Sequence, residues 1–308
     1  MAIENFAQMI ELARQKGPKR VAVAAAHDPE VLLSFEEARR AGLEVSGYLV
    51  GDARAIEEIA RQEGVSLADF EIIHEPETSR AARTVVLLAR EGKADIVIKG
   101  QLKTAELLSV ALNKEIGLRD KTLMTHVGIF EIPGMDKLIY ISDSGVVPYP
   151  DVYQKLEIIR NAVEVAHRFG LEMPRVAILA ATEAVHPKIP ASIDALALAK
   201  MAEQGWVEGA IVDGPMALDS AISEYSARVK GIKSPVAGRA DILIVPNVEA
   251  GNIMAKGILY FARARMAGHV VGARVPILIN SRADEAETRF LSLAMAIYLS
   301  TESASQSR

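Results

Sequence analysis

The apolar run Val275–Ile279 is followed at once by Asn280, Ser281 and Arg282, and then by the acids Asp284, Glu285 and Glu287. An amide, a hydroxyl, a guanidinium and carboxylates can together hold an anion and move a proton. A solvated loop after a strand accounts for the same residues when that strand is taken alone. A second stretch of the same kind is "IVIKGQLKT" (96–104), with Lys99 at the end of an apolar run, Gly100 in the turn and Thr104 opening a helical pattern. Lys99 is placed to hold an anion beside that helix terminus, or else to snorkel out of a strand end. In "VPNVEAGNIMAKG" (245–257), Gly251 and Asn252 fall in the first turn of a helix, where glycine lowers helix stability. Close approach of a ligand or of another backbone, or tight helix–sheet packing, would explain the glycine.

The elements that must position these residues follow a regular alternation. Strand patterns at 20–28, 45–52, 70–75 and 94–100 are each followed by a helical pattern, at 29–41, 52–63, 78–91 and 103–113. Strands at 123–133 and 137–145 flank a three-residue turn and predict a hairpin. "VVPYPD" (146–151), with two prolines, is the candidate hinge between domains. Beyond a helix over 152–169, strands at 175–182, 206–214 and 240–247 alternate with helices at 190–204, 217–227 and 249–266. Short strands near 269–272 and 275–280, a helix over 283–299 and a polar tail, "TESASQSR", complete the chain. This βαβα order predicts mostly parallel sheets covered by helices on both faces. Strand after strand ends in polar residues, including Asp28, Lys99, Asp143, Ser144, Asn247 and Ser281, and in such sheets the carboxyl ends of the strands form the ligand crevice.

Composition narrows the functions available. The 308 residues allow two domains of ordinary globular composition, 50% hydrophobic and 24% charged. The net charge of −5 disfavours nucleic acid as a partner. With no cysteine there is no disulfide, no thiolate metal site and no cysteine nucleophile. The six histidines include no i, i+4 pair, so no metal site is expected, and His126, inside a strand pattern, reads as a satisfied, partly buried residue. Dinucleotide, P-loop and zinc-protease signatures are absent. The N-terminus does not read as a signal peptide and no run reaches the length of a membrane span, so a cytoplasmic location is expected.

Several stretches, "KGQLKT", "ISDSGVVPYPD", "EAVHPKIPASIDA", "IVDGPMALDSAIS", "KGIKSPVAGRADILIVPNVEAGN" and "LINSRAD", closely resemble the phosphate acetyl/butyryltransferase family, and most of all its phosphate butyryltransferase branch. The likeness runs from about residue 94 to about 290. It implies reversible transfer of a short acyl group from acyl-CoA to inorganic phosphate, giving acyl phosphate and CoA. CoA is then a substrate or product, with no tightly bound cofactor and no metal. It also implies an isocitrate/isopropylmalate dehydrogenase-like fold of two α/β/α domains, here 1–149 with 280–308 and 150–279, an active site in the cleft between them, and a dimer or larger homo-oligomer. Ser281 and Arg282 match a serine–arginine pair of the acetyltransferases. The family's proposed thiol base maps onto Asp284, Glu285 or Glu287, or by gapless alignment near Thr288, and Asp284 is preferred as the closest to the pair. Asp143, Ser144 and Gly145 match a segment lining the cleft. The earlier arginines of the acetyltransferases have no counterpart, and Lys99 is expected to carry that charge, with Gly100, Thr104, Gly251 and Asn252 as further substrate-binding candidates.

The resemblance implies roles for these residues. Arg282 would grip phosphate by two parallel hydrogen bonds, a geometry that lysine cannot copy. Ser281 would donate to the oxyanion or the thiol sulfur. A carboxylate would take the thiol proton, a transfer that requires burial to raise its pKa toward the ~8.5 of a thiol. Other enzymes considered are an acetyl-CoA-preferring enzyme, an acyl-phosphate former using an acyl-carrier protein and a decarboxylating dehydrogenase. From a different class, a non-catalytic CoA or acyl-phosphate sensor keeps the same fold. An acyl-carrier protein would need a basic docking face, and a dehydrogenase a metal-binding aspartate set with an arginine cluster; the chain shows neither.

Overall fold

A computed structural model describes residues 2–300, so the "TESASQSR" tail lies outside the described residues. The chain forms two compact units. The first comprises Phe6–Met124 and the segment from Ala267 onward, and the second comprises Thr125–Met266 with the residues up to Asn5.

In the first unit the chain runs through α1 (Phe6–Arg14), β1 (Lys19–Ala24), α2 (Pro29–Arg40), β2 (Val45–Gly51), α3 (Ala53–Glu63), β3 (Phe70–His74), α4 (Thr78–Arg90), β4 (Ile96–Lys99) and α5 (Thr104–Ala111). The second unit contains β5 (Thr125–Glu131), β6 (Ile139–Ser142), α6 (Val152–Arg168), β7 (Arg175–Leu179), α7 (Pro190–Glu203), β8 (Ile211–Met216), α8 (Leu218–Ile222), α9 (Glu224–Val229), β9 (Ile242–Ile244) and α10 (Val248–Ala262). The chain re-enters the first unit along β10 (Arg265–Val271) and ends with β11 (Ile277–Leu278) and α11 (Ala286–Leu299).

The first unit's strands lie in the order β3-β2-β1-β4-β11-β10 and the second unit's in the order β5-β6-β9-β7-β8. Pairing is parallel except at β5–β6 and β10–β11, so the mixed α/β class and the mostly parallel sheets follow the sequence pattern. The boundaries are set by local chemistry. Asp28 caps α2, its carboxylate accepting from the Glu30 N–H, with Pro29 at the first helical position. Asp151 and Gln154 form a capping box on α6. Gly64 closes α3 in the left-handed region, at φ 67°. Buried Val21, Val23, Ile96, Leu32 and Leu107 form core in the first unit. Helix α11, buried continuously from Arg289 to Ile297, packs on α1 and α2. In the second unit Phe130, Ile139, Ile141, Leu179, Met216 and Leu243 form the core cluster.

Four expectations change. The domain division differs from 1–149 with 280–308 against 150–279: the units part at 124/125 and 266/267. The hairpin β5–β6 belongs to the second unit because β6 pairs along Tyr140–Ser142 with β9. The proline stretch 146–151 therefore connects β6 to α6 within one unit. The helix expected over 217–227 breaks at Ser223, which ends α8 and caps α9 by accepting from the Ser226 N–H. The helix expected to reach 266 stops at Ala262, where Arg263 adopts φ 53°, and the chain turns into β10. Among the described residues, no helix is long and apolar enough to cross a membrane.

Candidate functional site

The strand ends of the first unit converge on a buried, charged cluster. Strand β4 is buried along its whole length, and Lys99 at its end is 2% exposed. Its ammonium does not snorkel. It donates to the carbonyls of Gly100 at 3.1 Å and Leu102 at 3.4 Å. Burial pulls its pKa down to about 8, and neighbouring Arg289 and Arg282 push the same way, while Asp28 and Asp284 oppose them. Gly100 follows because a Cβ there would lie 2.2 Å from the Ala25 carbonyl oxygen, so the β1–α2 turn crosses directly over it. Thr104 opens α5, whose N-cap, Lys103, makes no side-chain capping bond.

The segment after β11 is held as a tight turn. The Asp284 carboxylate accepts from the Ser281 N–H at 2.8 Å, and the Asp284 N–H donates to the Ser281 carbonyl at 3.1 Å. Of the three acids considered, Asp284 is therefore the one bonded to the serine. Glu285 is exposed at the N-cap of α11 and makes no capping bond, while Glu287 faces Glu37 of α2, whose carboxyl is pushed up first by burial and then by Glu287. Ser281 is half-buried and Arg282 is exposed.

The sequence reading did not single out the residue that ties this turn down. Arg289, 3% exposed, donates from Nε to the Asp284 carbonyl and from Nη2 to the Ser281 carbonyl, each at 3.1 Å. The same Nη2 lies 3.2 Å from the buried carboxylate of Asp28. Its remaining nitrogen, Nη1, is buried and has no hydrogen-bond partner among the described residues. A donor left in that state costs about 1–3 kcal/mol. The available signal was that α11 is mostly apolar on all sides beyond its first turn, so its single cation had to be accommodated inside. Its anionic partner, Asp28, lies in a strand-end loop far away in sequence.

The second unit gathers the other candidates into a separate cluster. Asp143 accepts backbone N–H bonds from His126, Gly145, Val146 and Val147. Burial pushes its carboxyl up against the pull of those donors. Ser144 pairs with His126 Nδ1 at 3.0 Å, and burial holds the imidazole neutral, with its pKa down at about 4. His126 is thus a satisfied, buried histidine. Gly251 is explained by backbone packing: a Cβ would sit 2.8 Å from Val245, 2.9 Å from the Asp143 carbonyl oxygen and 3.0 Å from the Ser144 Cα. Asn252, the next residue, is exposed on α10.

The chain is similar to known proteins along nearly its whole length. A family model described as phosphate acetyl/butaryl transferase matches residues 77–297. A phosphate butyryltransferase of Clostridium acetobutylicum is 42% identical over 96% of this chain and 97% of its own. A phosphate acetyltransferase of Thermotoga maritima is 40% identical over 94% of this chain and 97% of its own. The crystal structure of a branched-chain phosphotransacylase from Enterococcus faecalis superposes with a TM-score of 0.80 at 30% identity, covering 92% of this chain and all of that one.

Proposed function

The chain belongs to the phosphate acetyl/butyryltransferase family and is a phosphate acyltransferase; from that premise we propose that it moves a butyryl or similar short acyl group directly between CoA and inorganic phosphate. A phosphate oxygen attacks the thioester carbonyl carbon, the C–S bond breaks, and CoA leaves as a thiolate that takes up a proton. In reverse, the CoA thiol gives that proton to a carboxylate as its sulfur attacks the acyl phosphate. No acyl-enzyme on cysteine is available, because the sequence contains none.

The observation that carries this reading is the juxtaposition of the buried cation Lys99 with the turn that presents Ser281, Arg282 and Asp284. Lys99 and Arg282 supply positive charge for phosphate, which binds a guanidinium by two parallel bonds. The Ser281 hydroxyl stabilises the oxyanion or orients the sulfur. Asp284 handles the thiol proton, and among the described residues the turn uses only its Oδ2. Thr104 and Gly100 border the anion.

In this reading CoA is a substrate or product and not a resident cofactor, and the enzyme works in the cytoplasm as a homo-oligomer. Helix α10, which leaves Ile253, Tyr260 and Phe261 largely exposed, supports self-association. The test follows free thiol in mixtures of protein, phosphate and acetyl-, propionyl-, butyryl- or branched acyl-CoA. The protein contributes no thiol background. Phosphate-dependent release with the highest kcat/KM for butyryl or a branched homologue is expected. A clear preference for acetyl-CoA would overturn the chain-length assignment.

A further inference from the structure

Arg282 and Arg289 stand on either side of Asp284 but differ in their setting. Arg282 is exposed. Arg289 is immobilised: its Nε and Nη2 are anchored on the carbonyls of Asp284 and Ser281, and Asp28 balances its charge. Those contacts occupy one edge of the guanidinium and leave Nη1 without a partner among the described residues. The charged groups acting on neighbouring Lys99 are Arg289, Asp28, Arg282 and Asp284, so two buried cations share this corner. A purely structural arginine of this kind normally has its donors satisfied, since buried polar groups are almost always paired. A fixed donor beside a second cation matches the tetrahedral oxygens of inorganic phosphate.

We propose that Arg289, through Nη1 and together with Lys99, is the fixed phosphate-binding guanidinium of this enzyme, and that Arg282 supplies the mobile second contact. The proposal rests on the phosphate acyltransfer reading and adds a binding residue to it. In structural terms Arg289 also locks the Ser281–Asp284 turn onto the start of α2, so binding of phosphate and orientation of Ser281 become linked through one side chain.

The experiment compares wild type with Arg289→Lys, which keeps the charge and removes the Nη1 donor. Two readouts are taken: steady-state thiol release with phosphate and butyryl-CoA varied in turn, and the rise in Tm on adding inorganic phosphate alone. The expected result is a phosphate KM raised roughly tenfold or more with the acyl-CoA KM within about twofold, and a phosphate-induced Tm shift that is largely lost. A merely structural arginine would lower Tm and change both KM values alike, or leave the phosphate KM within about twofold, and either result overturns the proposal. Wild type showing no phosphate-dependent thiol release would count against the acyltransfer reading itself, while the Tm arm still reports on phosphate binding at Arg289. If Arg289→Lys does not fold, wild-type crystals soaked in phosphate well above the measured KM decide. Phosphate within hydrogen-bond distance of Arg289 Nη1 supports the assignment, and phosphate bound only elsewhere, or not at all, overturns it.

Discussion

The Lys99–Arg289 corner of the first unit and the His126–Asp143–Ser144 corner of the second are built from similar parts. Each lies at strand ends, each is buried, and each holds an aspartate that organises a loop. The second corner is closed on itself. Asp143 is surrounded by four backbone N–H donors, Ser144 is paired with His126, and Gly251 lets another backbone fill the remaining space. The first corner keeps capacity for a ligand. Among the described residues Lys99 donates only to neighbouring carbonyls, and Arg289 retains a donor. Polar residues at a strand end therefore say little until their hydrogen bonds are followed, because the same residue types either complete a fold or remain available for chemistry.

Substitutions should separate the two corners in that order. The largest effect is expected from Lys99→Met, which removes a buried cation and should lower kcat/KM for phosphate roughly 10²- to 10³-fold. The wild-type pH profile carries the same signature. With Lys99 near pKa 8, its charge is present below that pH and lost above it, so the phosphate KM should climb as pH rises past about 8. A flat phosphate KM between pH 7 and 9.5 would remove Lys99 from the anion site. Gly251→Ala should act on stability, by about 1–3 kcal/mol from overpacking against Asp143, Ser144 and Val245, read as a fall in Tm. An unchanged Tm would mean that this corner is loose enough to accept a ligand.

The smallest effect is confined to acid. His126 is held near pKa 4 against an ordinary 6.5, so the unfolded chain binds its proton first and stability falls as pH drops from about 6.5 toward 4. Asp143, raised by burial, contributes in the opposite sense, so the comparison is made between His126→Gln and wild type. The variant should lose part of the acid-side decline in Tm. Identical slopes would place the imidazole in contact with water.

Much of the fold was readable in the sequence because hydrophobic period and capping residues act locally. Asp28 with Pro29, Asp52, Asp151 with Gln154, and Gly64 mark helix ends within a residue or two of their expected places. What was not readable depended on pairing across long separations. The β6–β9 ladder moved the domain boundary, and nothing in "VVPYPD" itself distinguishes a connection within a unit from one between units. The site was half readable. Ser281, Arg282, Asp284 and Lys99 stood out by type and by position at strand ends, whereas the sequence leaves open which of the three acids bonds to Ser281, and the turn decides it. For Gly251 the sequence left ligand approach and close packing both open, and a Cβ there and at Gly100 would meet a neighbouring main chain. Arg289 was hidden because its role depends on Asp28 and on two carbonyls whose positions the turn determines.

The most direct test of where the chemistry lies is the kcat of Ser281→Ala at saturating phosphate and butyryl-CoA, with Tm as the control for folding. Among the described residues the hydroxyl of Ser281 makes only a 3.4 Å contact with the Ala283 N–H, so its loss should leave the turn standing. The expected result is a roughly 10²-fold fall in kcat with Tm close to wild type; a kcat within about threefold of wild type in a folded variant would contradict the placement of the reaction at this turn.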